Sequence, residues 1–242
     1  MSDYFADRVT SSDQPQNNME LMIDVESFGT VVGAPVVTIG AVLFDPYKCD
    51  SSQLMVDRSL SIRIDISDSI KYSLMGDNPA DAGKTLRWWF EQSDAAIKAL
   101  VGDDAISMQE ALIKLSRYCH ERGTFVNDEF FPGLSDLPRT SRYWAKDPDF
   151  DMRLMQHFYD HSDLRGAKQP WDFWSCRSVR TIQDLAWPEG GIERPSFQVP
   201  GVAHDARWDA IQQAMTVQAA MVRLGLSLDQ YVEYGKYIPP TA

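Results

Sequence analysis

The spacing of hydrophobic and polar positions changes several times along the chain, and each change predicts an element. Leu21-Met22-Ile23 is an apolar run that meets an acidic pair, Asp24 and Glu26, before Ser27-Phe28-Gly29. Gly29, Gly33 and Pro35 then mark a turn. Val36 to Phe44 is apolar and β-branched and is stopped by Asp45-Pro46, so it reads as a second strand returning beside the first. Strict alternation over 60–66 predicts a half-exposed third strand. The chain therefore opens with a three-stranded antiparallel meander.

Helical signals follow. Thr85 is a candidate cap for a helix over 86–92, and Ser107-Met108-Gln109-Glu110 is a capping-box pattern that opens a helix running to about Arg122, with Gly123 as its stop. Asn127-Asp128, Pro132-Gly133 and Pro138 make 123–140 a long irregular insertion. A short strand over 141–145, a helix from Phe150-Asp151, a strand over 173–176 and a short helix over 179–186 come next. A loop over 187–201 leads to a last helix from near His204 to about Leu224. No internal repeat is present. The pattern predicts an α/β fold, a mixed sheet with helices on its faces, over 19–225. Residues 1–18 are polar and read as a disordered leader, Met19 offers an alternative start, and 226–242 read as a C-terminal extension.

Composition narrows the picture. With 242 residues, 44% of them hydrophobic, the chain has enough apolar surface for one large domain. A net charge of −12 argues against nucleic-acid binding through a broad basic surface, but not against phosphate met through metal ions held by carboxylates. Cys49, Cys119 and Cys176 lie far apart without metal-ligand spacing, which suggests a reducing compartment. No apolar run is long enough for a bilayer and no secretory signal opens the sequence, so a cytoplasmic protein without membrane contact is expected.

The acidic pair carries the chemistry. On a strand, Asp24 and Glu26 project from one face. Two carboxylates there repel and are costly to desolvate, unless the strand is a solvated edge or a hard divalent cation such as Mg2+ or Mn2+ sits between them. Asp151 follows a strand at a helix start, and His204 precedes Asp209 by five residues at the last helix. Together and in this order, Asp24-Val25-Glu26, Phe150-Asp151-Met152-Arg153-Leu154-Met155 and His204 with Asp209 resemble the motifs of the DEDDh exonuclease superfamily, which has an RNase H-like fold. The segments Met22 to Thr30 and Ala34 to Val42, with Thr85 to Ser93 and Arg177 to Thr181, are most similar to phage DexA-type exodeoxyribonucleases. They also resemble the nuclease region of exodeoxyribonuclease VIII and mycobacterial exoribonuclease-like relatives. The resemblance spans roughly residues 20–224 and departs from the family at 123–140 and at Lys146-Asp147-Pro148.

That resemblance implies a 3'-5' exonuclease releasing nucleoside 5'-monophosphates. Asp24 would bridge two Mg2+ or Mn2+ ions, Glu26 and Asp209 would hold the ion that carries the attacking water, and Asp151 would bind directly or through water. His204 would be the general base. Two cations ~3.5–4 Å apart can stabilise both the attacking and the leaving oxygen of an in-line displacement. Single-stranded DNA 3' ends are the first expectation for substrate, with RNA as the alternative. A non-catalytic nucleic-acid-binding module on the same fold comes third. A homodimer is compatible with the sequence. Candidate substrate-binding residues are Ser27, Phe28 as a wedge beside the acidic pair, Trp88 and Trp89 as a stacking platform, and Arg180 for phosphate. The competing reading makes the tryptophans packing residues and Arg177 and Arg180 solvated helix charges. His157 and His161 have metal-pair spacing, but no HExxH pattern or third ligand accompanies them.

Overall fold

The apolar runs of the sequence become the central strands of one sheet. The protein is described by a computed structural model over residues 19–121, 124–126, 129–131, 142–162, 169–188 and 195–227. The leader over 1–18, most of the insertion and the extension beyond Ser227 lie outside them. The first strand, β1 (Glu20–Ser27), pairs antiparallel with β2 (Val36–Phe44), which pairs antiparallel with β3 (Ser59–Arg63). On its other side β1 pairs in parallel with β6 (Tyr143–Ala145), and β6 with β7 (Cys176–Ser178), giving the order β3-β2-β1-β6-β7. A second, two-stranded sheet joins β4 (Thr124–Val126) and β5 (Glu129–Phe131), so part of the 123–140 stretch is a hairpin and not the irregular insertion expected.

Helices cover both faces. Leu21, Ile23 and Val25 of β1 share a core with Met108, Leu112 and Leu115 of α5 (Met108–Glu121) and with Met152, Met155 and Phe158 of α6 (Asp151–His161). Met22, on the opposite face, packs with Ala210, Ile211 and Ala214 of α8 (Ala206–Arg223) and Val179 of α7 (Val179–Ala186). Strand alternation therefore aims Asp24 and Glu26 at α8. Four further helices, α1 (Ser52–Asp57), α2 (Ile66–Lys71), α3 (Pro79–Phe90) and α4 (Asp94–Ala99), lie in the connection from β2 to α5. This is the α/β architecture with a mixed sheet expected from the pattern, consistent with an RNase H-like fold. Among the described residues no helix is long and apolar enough to cross a membrane.

Three boundaries differ from expectation, each for a local reason. The alternation over 60–66 continues past the strand, but the side chain of Asp65 accepts from the Asp68 N–H and caps α2, so Ile66 begins a helix. Thr85 caps nothing. Pro79 opens α3, which brings Thr85 inside the helix, where its hydroxyl donates to the Asp81 carbonyl. Phe173 to Ser175 form a short 3-10 turn, not a strand, closed by a capping box between Asp172 and Ser175, and the strand starts at Cys176. By contrast, Ser107 and Glu110 form the expected box at the start of α5, with Glu110 accepting from the Ser107 N–H and hydroxyl.

Candidate active site

The strand ends and helix starts converge at the carboxyl end of β1. Asp24, 7% exposed, accepts a hydrogen bond at Oδ1 from Gln213 Nε2 of α8 at 2.6 Å. Glu26 lies two residues on, on the same face, just before a bulge between Glu26 and Ser27. Asp151 sits at the first position of α6 and is 3% exposed. Because β6 stops at Ala145, the Val25 N–H donates to Asp151 Oδ1 at 3.4 Å, and the Asp147 N–H to Oδ2 at 3.4 Å. The side chain therefore extends the sheet edge where the strand has ended.

His204 and Asp209 arrive on α8. The helix starts two residues after His204, with Asp205 as its N-cap. His204 has φ 63°, the one non-glycine residue with positive φ among the described residues, a conformation that costs an L-residue about 1–2 kcal/mol. Its backbone N–H reaches the Asp209 carboxylate. Gly40, paired with Asp24 on β2, makes the approach of α8 possible: a Cβ there would lie 2.0 Å from the Ala206 carbonyl oxygen. Arg207 fixes the helix start from the other side, its Nε donating to Ser59 Oγ at 2.6 Å and an Nη to the Val56 carbonyl at 3.0 Å.

Crowding sets the electrostatics. Burial first, then repulsion from Asp151, Glu26 and Asp209, holds the Asp24 carboxyl well above the usual carboxylate range, against the Gln213 hydrogen bond. Burial, Asp209 and Asp151 push Glu26 up to about 8. Burial takes Asp151 to about 7 despite the backbone N–H groups of Asp147, Val25 and Asp151 itself. Asp209 is also raised by burial, against the attraction of His204 and Lys146. Among the described residues none of the four pairs with an arginine or lysine at salt-bridge distance. Ligand atoms of Glu26, His204 and Asp209 lie within 4.8 Å of one another. Two half-buried carboxylates and an imidazole nitrogen converging this closely, with no arginine or lysine paired to the carboxylates at salt-bridge distance among the described residues, fit a divalent cation.

Two adjoining clefts share Val25, Glu26 and Phe150. One, of about 350 Å3, holds all five residues named from the sequence together with Lys146, Asp147 and Arg180. The other, of about 550 Å3, is bounded by Ser27, Thr30, Asp81, Lys84, Thr85 and the two tryptophans. The structure separates those tryptophans. Trp89 is a packing residue, 4% exposed, with Nε1 donating to the Ser27 carbonyl at 3.0 Å, whereas Trp88 is 40% exposed in the cleft wall. Phe28 lines neither cleft: beyond the bulge it is half-buried against the cluster of Val37, Trp89, Ala96 and Leu100. Arg180 reaches the acidic cleft and lies 3.7 Å from Asp147, while Arg177 donates to the carbonyls of Trp174 and Cys176. His157 and His161 stack at 4.2 Å, with ring nitrogens on the carbonyls of Tyr72 and His157.

Three residues at the site were not read from the sequence. Gln213 is one turn beyond Asp209 on α8, and a buried amide carries no motif. Lys146 follows β6, and the pairing of Met22 with Trp144 sets it level with Asp24. Gly40, a glycine inside an apolar strand, was the one legible hint, since such a residue often marks a close approach.

No curated protein matches the chain. A family model described as the 3'-5' exoribonuclease Rv2179c-like domain matches residues 19–221. That match runs from the start of β1 into the last turn of α8 and takes in every element that carries the converging carboxylates. The chain belongs to the Rv2179c-like 3'-5' exoribonuclease domain family and is a 3'-5' exonuclease domain.

Proposed function

We propose that this chain is a DEDDh-type exonuclease that trims RNA from the 3' end, one nucleoside 5'-monophosphate at a time. The observation that carries the reading is the convergence of Asp24, Glu26, Asp151 and Asp209 with His204 in one cleft. The sequence ranked single-stranded DNA first. The family's description speaks for RNA, so RNA leads and DNA becomes the comparison. The larger cleft supports that order. Asp81, held by the Thr30 N–H at 2.7 Å and the Thr30 hydroxyl at 2.5 Å, offers carboxylate acceptors to ribose hydroxyls beside Thr85.

Asp24, Glu26, Asp151 and Asp209 would hold two divalent cations, Mg2+ or Mn2+, whose charge would stabilise both the attacking and the leaving oxygen. Gln213 fixes one oxygen of Asp24 and leaves the other free to face the cleft. His204 accepts a proton from the attacking water at a ring nitrogen. The water oxygen bonds to the terminal phosphorus, and the bond from phosphorus to the preceding 3' oxygen breaks. That oxygen leaves with a proton from solvent. Lys146 and Arg180, at the mouth of the acidic cleft, face the polyanion that a −12 protein would otherwise repel. Trp88 offers a face to the terminal base.

The test is digestion of matched RNA and DNA oligonucleotides, labelled at either end, with Mg2+, Mn2+ or EDTA. Metal-dependent release of 3'-terminal mononucleotides, faster from RNA and abolished by Asp24→Asn, is expected. Undiminished hydrolysis by Asp24→Asn would overturn the site assignment, and faster turnover of DNA would overturn the substrate order.

A further inference from the structure

The clefts on either side of Glu26 are joined by more than a shared rim. Trp88 forms part of the wall of the larger one, and its ring meets the imidazole of His204 edge to face, with centroids 4.8 Å apart and planes at 80°. Trp89 stands behind both, 5.0 Å from Trp88 and 6.0 Å from His204, also edge to face. Trp89 is held by burial and by its hydrogen bond to the Ser27 carbonyl. Trp88 can move, because 40% of it is exposed and its cleft side is open. Meanwhile His204 sits on an unfavourable backbone conformation, in the turn before α8. Such a conformation persists only where surrounding contacts hold it.

We propose that Trp88 is a positioning residue that couples occupancy of the nucleoside cleft to the placement of His204, so that the terminal base of the substrate contributes to turnover and not only to binding. The inference rests on the reading of His204 as the general base. A base stacked in the larger cleft closes the open side of Trp88 and fixes the indole against Trp89. The indole in turn restricts the imidazole on its other side. Without a base to close its open side, Trp88 holds the contact with His204 only part of the time, and the support for the strained backbone of His204 weakens with it. Proton transfer is sensitive to such displacement, a misplacement of about 1 Å costing up to about 10²-fold in rate. Binding energy from a part of the substrate remote from the reacting bond is thereby expressed in kcat.

The experiment compares two RNA oligonucleotides that differ only in the 3'-terminal residue, a complete nucleotide or an abasic ribose phosphate. Wild type, Trp88→Ala, Trp88→Phe, His204→Ala and the Trp88→Ala/His204→Ala double variant are measured on both. Wild type is expected to lose about 10- to 100-fold in kcat on the abasic end. Trp88→Ala should lower kcat on the complete end by a similar factor and remove the difference between substrates, and Trp88→Phe should restore most of it. In the His204→Ala background, Trp88→Ala should cost no further kcat, because the two residues act as a unit. A Trp88→Ala effect confined to KM, or an equal kcat loss with and without His204, overturns the coupling while leaving the exonuclease reading intact. Wild type that hydrolyses neither substrate overturns both. If Trp88→Ala fails to fold by circular dichroism, the wild-type comparison decides, since an abasic penalty confined to KM overturns the coupling by itself.

Discussion

Metal-free protein should become less stable as pH rises, and a divalent cation should reverse this. In the unfolded chain Glu26 and Asp151 titrate near 4.5 and 3.8, while in the folded chain they titrate near 8 and 7. A raised acid pKa means that the native state binds more protons than the unfolded state between those limits, so stability falls as pH climbs from about 4 to about 8. At about 1.4 kcal/mol per unit, shifts of this size withdraw at most about 5 kcal/mol through Glu26 and about 4 kcal/mol through Asp151, each taken alone. The pair withdraws less than the sum of the two, because part of the Glu26 shift is repulsion from an ionised Asp151. For a domain of this length, about 4 kcal/mol moves the melting temperature by roughly 8–16 °C. The assay is thermal unfolding between pH 5 and pH 8 in EDTA and in Mg2+ or Mn2+. The melting temperature in EDTA should fall across the range, and the cation should restore most of the loss at pH 8 and little at pH 5. Asp24→Asn removes an acid whose ionisation burial and its carboxylate neighbours oppose. Its EDTA curve should lie above wild type at pH 8 and slope less. A wild-type melting temperature in EDTA that is flat or rising over this range, with no response to Asp24→Asn, would refute the argument that the carboxylates are crowded at the expense of stability.

His204→Ala should lower kcat about 10²–10⁴-fold at near-neutral pH if the residue only moves a proton; a smaller loss in single-turnover assays would remove it as the base. Gln213→Leu should weaken Mn2+ binding about 10- to 100-fold by calorimetry, since it frees Asp24 to rotate, and unaltered affinity would show that packing alone orients the carboxylate. Gly40→Ala forces the start of α8 away from β2 and should cost about 1–3 kcal/mol by denaturant unfolding, with a larger proportional loss of activity. Full activity in a folded Gly40→Ala protein would mean that the helix does not need this approach.

The five residues that converge were legible because each has an ionisable side chain at a position the chain pattern already marks. Asp24 and Glu26 end an apolar strand, Asp151 opens a helix after a strand, and His204 and Asp209 bracket the start of the last helix. The strand pattern also fixed which face they share, since Met22 and Asp24 stand on one side and Ile23 and Val25 on the other. Boundaries failed where a local hydrogen bond outweighed periodicity. Asp65 turned a continuing alternation into a helix start, and Asp172 with Ser175 turned an aromatic run into a 3-10 turn.

The site's supporting residues were illegible for a different reason. Gln213 is one of several glutamines on α8, and only the docking of that helix on β1 selects it as the partner of Asp24. Trp88 and Trp89 are adjacent in sequence, yet one helical step sends one into the core and the other to the cleft wall. A β-bulge after Glu26 removes Phe28 from the place its sequence neighbours suggest. Chemistry-bearing residues thus announce themselves by type, whereas the residues that aim them are chosen by tertiary contacts. Gly40 connects the two groups. It lacks a side chain because α8 must come within reach of Asp24, and a Cβ 2.0 Å from the Ala206 carbonyl would push back the helix that brings His204, Asp209 and Gln213 together. The position that does most to assemble the acidic cluster therefore has no functional group of its own.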